Sequence, residues 1–326
     1  MSLPALGIDI AKRKFQAALL VNGKVKQKSC SNTPEGFEEL KSWLSRQKVE
    51  RVHACLEATG NYGEALATAL ADAGHLVSIV NPVRIQGFAK SELIRTKTDA
   101  VDSALIARFC EALKPETWVP PAPEVRELRA LVRRLSDLQE MYQMESNRLE
   151  VGDPSKAVRD SIRALVEHLQ EEIDKTKTLI RKHIDRHPGL KAQRDLLTSI
   201  PGIADQTAAT LLAELGDLSQ FTSAKQVAAY AGLFPKERSS GTSVWGKPRL
   251  SKVGNHRLRK ALYMPAIVAM RANPLISDHC ARMLDKGKAK MAAVGAAMRK
   301  LLHLAYGVLK SGMPFDSAYT AAQVRA

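Results

Sequence analysis

The pattern of apolar and polar positions in the first third of the chain predicts short strands alternating with helices. The apolar runs with the length of buried strands are 3–11, 15–21, 52–58 and 75–82. Asn22-Gly23 follows the second run and favours a tight hairpin into residues 24–32. The predicted helices cover residues 33–47, 61–74 and about 96–113. A hairpin followed by alternating helices and strands indicates a mixed α/β sheet domain.

A proline-rich break at 117–124 precedes two long, charge-rich helical stretches that extend to residue 187. Leu128, Leu131, Leu135 and Leu138 are spaced like heptad positions. This spacing suits an antiparallel pair or a coiled-coil dimer contact, and it equally suits a helical hairpin that packs within one chain. The expected domains are an α/β domain at 1–116, a helical coiled-coil connector at 117–189 and a mostly α C-terminal domain at 190–326.

The net charge of +15 indicates a polyanionic partner, and nucleic acid explains it better than a basic surface kept for solubility. Aromatic residues make up only 5% of the chain, which argues against base-stacking platforms. The four cysteines lack CxxC spacing and are expected to be reduced, mostly buried thiols. Because we find neither a membrane-spanning apolar run nor a signal peptide, we expect a cytoplasmic protein without a membrane partner.

Four acidic residues in the N-terminal part form a candidate metal site. Asp9 ends the first apolar run and Glu57 ends a later one, whereas Asp99 and Asp102 share one face of a helical stretch. Together, four carboxylates would suit two Mg²⁺ ions about 3.5–4 Å apart, which stabilise the entering and leaving oxygens at a phosphodiester. Taken singly, the aspartate pair also fits a solvated helix face, and Asp9 also fits a turn or a helix cap.

Candidate phosphate contacts lie in both parts of the chain. Those near the carboxylates are Lys12, Lys14, Arg95 and Lys97. The sequence of residues 199–215 is typical of a helix-hairpin-helix. In that motif, Gly202 and the start of the following helix would offer backbone N–H groups to a phosphate. A glycine turn between two packed helices explains the same residues. The cations between 236 and 260 are Lys236, Arg238, Lys247, Arg249, Lys252, Arg257, Arg259 and Lys260.

A serine- and glycine-bearing segment at 239–243 lies inside this basic field, and we expect it to be flexible. A serine attacks phosphate only when a base takes its proton and positive charge compensates the phosphate. Guanidinium and ammonium groups supply that charge. The proton acceptor would be a metal-bound hydroxide or a neighbouring carboxylate. A phosphate-binding loop without chemistry has the same composition.

Four blocks of the chain resemble one known family. GIDIAK, LEATGNYG, KTDAVDSALIARF and SSGTSVWGKPRLSKVGNHRLRKALYMPAIVAMRANP are similar to blocks of the bacterial insertion-sequence transposases of family one hundred and ten. These DEDD transposases are related to the pilin-gene invertases and are described as bridge-RNA-guided recombinases. The similarity runs from Leu6 to about Pro274. It implies an RuvC-like domain with an RNase H-like fold, a coiled-coil connector and a C-terminal transposase domain.

The resemblance also implies roles for particular residues. The acidic tetrad falls on Asp9, Glu57, Asp99 and Asp102, and the catalytic serine falls on Ser240, with the adjacent Ser239 as the rival. The implied reaction is strand cleavage through a covalent phosphoserine, followed by strand exchange and resolution of a Holliday-junction-like intermediate. The expected cofactor is Mg²⁺, and oxygen ligands also accept Mn²⁺.

The implied partners are donor and target double-stranded DNA and a non-coding bridge RNA that pairs with both. Subunits are expected to form dimers and dimers of dimers, with serine and carboxylates from different chains. Two other functions stay open. One is a stand-alone metal-dependent junction nuclease or resolvase without serine chemistry, and the other is a nucleic-acid-binding module without chemistry.

Overall fold

The computed structural model describes residues 3–58, 62–93, 98–152, 155–240, 244–251 and 253–318, without the side chains of 237–240 and 244–249. The chain divides into two compact units, Met1–Pro120 and Pro121–Ala326.

The N-terminal unit is built on a five-stranded mixed sheet. Its strands are β1 (Ala5–Ile10), β2 (Lys14–Val21), β3 (Lys24–Ser31), β4 (His53–Glu57) and β5 (Leu76–Val80). Their order is β3-β2-β1-β4-β5, in which β2 is antiparallel to β1 and β3, and β4 is parallel to β1 and β5. Asn22 and Gly23 have φ angles of 49° and 74°, so the predicted hairpin turn is confirmed.

Helices cover both faces of this sheet. They are α1 (Pro34–Arg46), α2 (Glu64–Asp72), α3 (Pro82–Ser91) and α4 (Asp99–Leu113). One apolar core joins Leu6 and Ile8 of β1 to α1 and α2. The other joins Cys55 of β4 to Ile85 of α3 and to α4. The predicted mixed α/β domain is therefore confirmed, and its strand order with helices on both faces is the RNase H-like arrangement.

The C-terminal unit begins with two long antiparallel helices, α5 (Pro123–Val151) and α6 (Lys156–Arg186). The start of α5 meets the end of α6, where Nε2 of His183 lies 2.8 Å from the carbonyl oxygen of Glu124. Leu128, Leu135 and Leu138 are buried in the same core as the apolar residues of α6. The heptad-like leucines thus serve packing within one chain, and a dimer contact through these helices stays a prediction.

The rest of the described C-terminal unit is mostly helical, as predicted. Its helices are α7 (Pro188–Thr198), α8 (Asp205–Leu215), α9 (Ala224–Tyr230), α10 (His256–Ala272), α11 (Pro274–Asp285) and α12 (Lys290–Ser311). Two strands, β6 (Pro235–Ser240) and β7 (Val244–Leu250), form an antiparallel hairpin. A single apolar core joins α5 and α6 to α8, α10 and α12. The boundary predicted near residue 189 therefore lies inside one packed unit, and the three-domain division stays a prediction.

Two simpler expectations concern the cysteines and the membrane. All four cysteines are buried and free, which confirms the prediction of reduced thiols. Across the described ranges, no helix combines the length and apolar character needed to cross a membrane.

Candidate active site

The first two acidic positions lie at the ends of neighbouring parallel strands. Ile8 of β1 pairs with Leu56 of β4, so Asp9 and Glu57 follow side by side at the carboxyl edge of the sheet. Both residues are half-buried. Side chains two residues apart in a strand share a face. Asp9 and Glu57 therefore face the same side as Cys55, which is the side covered by α4.

Helix α4 brings the other two acidic residues to this edge. Thr98 caps its start, accepting a hydrogen bond from the Val101 N–H at 3.2 Å, and Asp99 and Asp102 lie in the first turn. Gly7 lets the helix lie directly on β1, because a β-carbon there would stand 2.2 Å from the backbone nitrogen of Ala107. The four predicted carboxylates thus come from two strand ends and one helix start of the same unit.

An ammonium group compensates charge at this acidic edge. Nζ of Lys14 lies 2.7 Å from Oδ2 of Asp99. The hydrogen bond and the charge of Lys14 hold the pKa of the Asp99 carboxyl below its usual range. In turn, the hydrogen bond and charge of Asp99, with a smaller contribution from Asp9, raise the pKa of Lys14. Lys14 therefore contacts the carboxylate edge itself, and its contact with phosphate stays a prediction.

The carboxylates share an edge but not one coordination sphere. Within the part of the chain that the structure describes, no three His, Cys, Asp or Glu side chains are close enough together to hold a metal ion. The donor type nevertheless fits, because carboxylate oxygens are the ligands that Mg²⁺ and Mn²⁺ prefer. Of the predicted phosphate contacts, Lys12 is exposed in the turn after β1, and Arg95 and Lys97 lie outside the described residues.

The candidate serines lie in the hairpin of the C-terminal unit. Ser240 is the last residue of β6 and pairs with Val244, the first residue of β7, while Ser239 pairs with Trp245. Ser239 and Ser240 thus belong to a strand that the sequence did not predict, because main-chain pairing requires no apolar alternation. Residues 241–243 lie outside the described residues, and the flexibility of the segment 239–243 stays a prediction.

The predicted cations of this region occupy different surroundings. Arg238, Lys247 and Arg249 belong to β6 and β7, and Lys252 lies outside the described residues. Nη1 of Arg259 donates hydrogen bonds to the carbonyl oxygens of Ala231 and Gly254, at 2.9 and 3.3 Å. Nη1 is thus engaged by backbone carbonyl oxygens. Phosphate binding by Arg259 stays a prediction without structural support.

The two remaining cations lie near the start of α10. Lys260 forms an ion pair with Glu140 of α5. Arg257 is half-buried and lines a cavity of about 630 Å³ between α5, α6, α8 and α10. Carboxylates such as Asp137 and Asp205 line the same cavity, so its charge is mixed and it does not form a purely basic cleft.

Gly202 has a packing role that accounts for its presence. It has a φ angle of +107°, and a β-carbon there would stand 2.7 Å from the β-carbon of Ala269 on α10. The turn between α7 and α8 therefore needs glycine to approach α10. Contact between this turn and DNA stays a prediction.

One buried group near the hairpin was not singled out from the sequence. Glu214 of α8 is 3% exposed, and its carboxylate accepts hydrogen bonds from Arg133 and Asn255. In the sequence it stands in the run Leu211–Leu215, which looks like an ordinary apolar helix. The single signal is a charged residue at an otherwise apolar position.

Two family models and several known proteins match this chain. The family model "Transposase IS116/IS110/IS902 family" matches residues 194–281, and a DEDD transposase model of the IS110 type matches residues 6–151. The pilin gene-inverting protein of Moraxella bovis is 36% identical over 319 residues, which cover 97% of this chain and 98% of that protein. The corresponding protein of Moraxella lacunata has the same identity and coverage.

A more distant relative belongs to an insertion element. The IS110 43.6 kDa protein of Streptomyces coelicolor is 28% identical over 230 residues, which cover 71% of this chain and 48% of that protein. The two family models match parts of both units, and the Moraxella proteins match almost end to end. The chain therefore belongs to the IS110 family of DEDD transposases, enzymes that cut and rejoin DNA strands.

Proposed function

We propose that this transposase cuts and rejoins DNA through a covalent phosphoserine at Ser240, assisted by divalent metal ions held at Asp9, Glu57, Asp99 and Asp102. The observation that carries the proposal is the placement of Ser240 at the end of β6 in the β6–β7 hairpin. The hairpin strands also contain Lys236, Arg238, Lys247 and Arg249, against the single acidic residue Glu237. Cations in the same strands would compensate the charge of a phosphodiester that the serine attacks.

In the proposed step, Oγ of Ser240 forms a bond to phosphorus while the bond from phosphorus to one deoxyribose oxygen breaks. The serine proton leaves with a base, and the departing oxygen gains a proton. In a second step, a hydroxyl of another strand gives its proton to a base and attacks the phosphorus. The bond from phosphorus to Oγ breaks and Oγ regains a proton, so the rejoined strand contains a new phosphodiester and the serine is regenerated. The energy of the broken bond is kept in the phosphoserine, and no nucleotide cofactor is needed.

The DEDD type of the N-terminal unit implies a divalent metal ion. The residues that would hold it are Asp9 and Glu57 at the strand ends and Asp99 and Asp102 in the first turn of α4. When bound, such ions stabilise charge on the phosphate oxygens, and Mg²⁺ is the ion we propose, with Mn²⁺ as a substitute. The protein's own contribution is the sheet edge that presents the carboxylates and the cation Lys14 beside them.

We further propose that a bridge RNA encoded with the element selects donor and target DNA. The family resemblance supports this, as does a net charge of +15, which suits a large nucleic-acid surface. Dimers and dimers of dimers are proposed as the working assembly. The family resemblance supports this assembly.

A denaturing-gel assay for a protein–DNA adduct tests the chemistry. Purified protein, the flanking RNA, donor and target DNA and Mg²⁺ are combined, and wild type is compared with Ser239→Ala, Ser240→Ala and Asp102→Ala. We expect an RNA-dependent adduct that is lost in the Ser240 and Asp102 variants and kept in the Ser239 variant. Cleaved ends without an adduct, unaffected by either serine change, would indicate a metal-dependent nuclease and overturn the proposal.

A further inference from the structure

Glu214 is a buried carboxylate at the centre of a three-helix contact. On α8 it is 3% exposed. Nε of Arg133 on α5 donates to its Oε1 at 3.2 Å, and Nδ2 of Asn255 donates to its Oε2 at 2.8 Å. The hydroxyl of Tyr230 also donates to the backbone carbonyl oxygen of Glu214, at 3.4 Å. A buried charge held by two donors is costly to disturb, because loss of either donor leaves it under-compensated.

Asn255 uses both ends of its amide. Its Oδ1 accepts hydrogen bonds from the N–H groups of Arg257 and Leu258, at 3.0 and 3.2 Å, and so caps the start of α10. The amide nitrogen is a donor only, and it faces Glu214. The amide is therefore held at both ends, with its oxygen on the two backbone N–H groups and its nitrogen on the Glu214 carboxylate.

The same asparagine joins the two chain segments that flank the β6–β7 hairpin, because Tyr230 lies five residues before β6 and Asn255 lies five residues after β7. Its backbone N–H donates to the carbonyl oxygen of Tyr230 at 2.7 Å, and the Ser251 N–H donates to the carbonyl oxygen of Phe234 at 2.8 Å. Gly254 has a φ angle of +130°, and a β-carbon there would stand 2.3 Å from the carbonyl oxygen of Tyr230. The chain before β6 and the chain after β7 thus lie in direct contact at Asn255.

We infer that Glu214 is a positioning residue for strand cleavage: through Asn255 it fixes the base of the β6–β7 hairpin and so places Ser240. The inference rests on the proposed serine chemistry. A strand rises about 3.3 Å per residue, so Ser240 lies roughly 17 Å from the base of the hairpin. A tilt of about 5° at the base would then move the serine by about 1.5 Å, and a misplacement of about 1 Å can slow a reaction about 100-fold.

Exchange of donor and acceptor between Glu214 and Asn255 tests the inference. Glu214→Gln replaces one carboxylate oxygen by an NH2 group, so one of the two donors, Nε of Arg133 or Nδ2 of Asn255, loses its acceptor. Asn255→Asp brings two carboxylates together. The double variant Glu214→Gln/Asn255→Asp restores one hydrogen bond with the roles reversed. It keeps an oxygen to cap α10, and it leaves the net charge unchanged. Single-turnover cleavage and adduct formation are measured with donor DNA, flanking RNA and Mg²⁺, together with the DNA Kd and the unfolding temperature.

We expect each single variant to cleave about 10- to 100-fold more slowly. DNA Kd should stay within about twofold of wild type, and the double variant should regain most of the rate. Glu172→Gln is the matched control, because Glu172 pairs with Lys175 on the surface of α6. If Glu214→Gln does not fold, Asn255→Asp serves as the slow variant.

Three results would overturn the inference. They are wild-type rates in the single variants, a double variant as slow as the singles, or a loss of DNA affinity that accounts for the lost rate. Failure of the serine chemistry is recognised separately, since wild type would then cleave DNA without forming an adduct. The strand-cleavage rates of the variants would still show whether the hairpin base matters.

Discussion

At the scale of single residues, the acidic edge of the N-terminal unit already contains a cation. Nζ of Lys14 lies 2.7 Å from Asp99, and Asp9 also contributes to its raised pKa. A lysine beside carboxylates competes with any metal ion for the same oxygens. Since Lys14 and Asp99 are both exposed, the competition is weak and the ammonium can move aside.

We therefore predict that Lys14→Met increases the affinity of the protein for Mn²⁺ roughly two- to fivefold. Manganese binding to the protein without DNA is measured by electron paramagnetic resonance at neutral pH. The gain should shrink as the pH falls toward the ordinary range of aspartate, because without Lys14 the pKa of Asp99 is no longer held down and protons compete. Lys26→Met, which removes a cation of β3 that hydrogen-bonds to Gln47, should leave the affinity unchanged. Equal affinities in all three proteins would contradict competition between Lys14 and a metal ion for the oxygens of Asp99.

The sequence predicted this site in outline only. Strand ends and a three-residue spacing identified Asp9, Glu57, Asp99 and Asp102, because those signals are local. The contact between Lys14 and Asp99 joins residues 85 positions apart, and the burial of Glu214 depends on α5 and α10 packing around it. No local pattern encodes such long-range contacts, so these features required the structure.

At the scale of elements, the position of α4 depends on a glycine, Gly7 of β1, which has no β-carbon. A β-carbon at Gly7 would stand 2.2 Å from both the nitrogen of Ala107 and the carbonyl oxygen of Ser103. These are backbone atoms inside a helix, which do not move aside as a flexible side chain would. Any larger residue at this position must push α4 away from β1 and carry Asp99 and Asp102 with it.

We predict that Gly7→Ala lowers the free energy of unfolding by about 1–3 kcal/mol, as overpacking usually does. It should also reduce strand cleavage by more than the loss of folded protein explains. Chemical denaturation and single-turnover cleavage at saturating Mg²⁺ check both parts. Gly87→Ala is the control, because it lies in α3 with open space where a β-carbon would go. That change should stabilise the protein by about 0.5–1 kcal/mol. Unchanged stability in Gly7→Ala would contradict the close packing of α4 on β1.

Elements with strong local signals were predicted, and elements without them were not. The strands of the N-terminal sheet and the Asn22-Gly23 turn have apolar runs and turn chemistry. Helix α3 was missed, although Asn81 caps it and Pro82 begins it, because its residues show little apolar periodicity. Strand β6 was missed because it has no apolar side chain besides its proline, and β7 because Gly246 and Pro248 interrupt its apolar residues. The pairing of the two strands rests on main-chain hydrogen bonds.

At the scale of the whole molecule, several partly buried histidines lie among cations. Burial and nearby positive charge lower the pKa of His303 on α12, where the neighbouring charges are Arg299, Lys225 and Lys300. The pKa of His279 is lowered by burial, Lys300 and Arg282. Burial and two cations likewise lower the pKa of His75 in the N-terminal unit. A net charge of +15 makes each further proton on the folded protein unfavourable.

These shifts fix the direction of the pH dependence. A histidine with a lowered pKa binds fewer protons in the folded state than in the unfolded chain, where its pKa is near 6.5. Stability is therefore fully present above about pH 6.5 and declines as the pH falls below that value. Because Nε2 of His303 is buried and has no hydrogen-bond partner in the described structure, neutral imidazole is the form that fits there.

We predict that His303→Leu flattens this decline for the C-terminal unit. Hydrogen–deuterium exchange of α12 peptides, measured between about pH 5 and 8 and corrected for the intrinsic exchange rate, should show protection that falls with acid in wild type and falls less in the variant. His168→Leu, which removes an exposed histidine of α6, should keep the wild-type slope. Leucine replaces a titrating ring by an apolar side chain, so the variant should also be at least as well protected at pH 5 as wild type. A wild-type slope in His303→Leu would mean that His303 binds protons equally in the folded and unfolded states. The acid sensitivity of the C-terminal unit would then come from His279 or from the ion pairs of that unit.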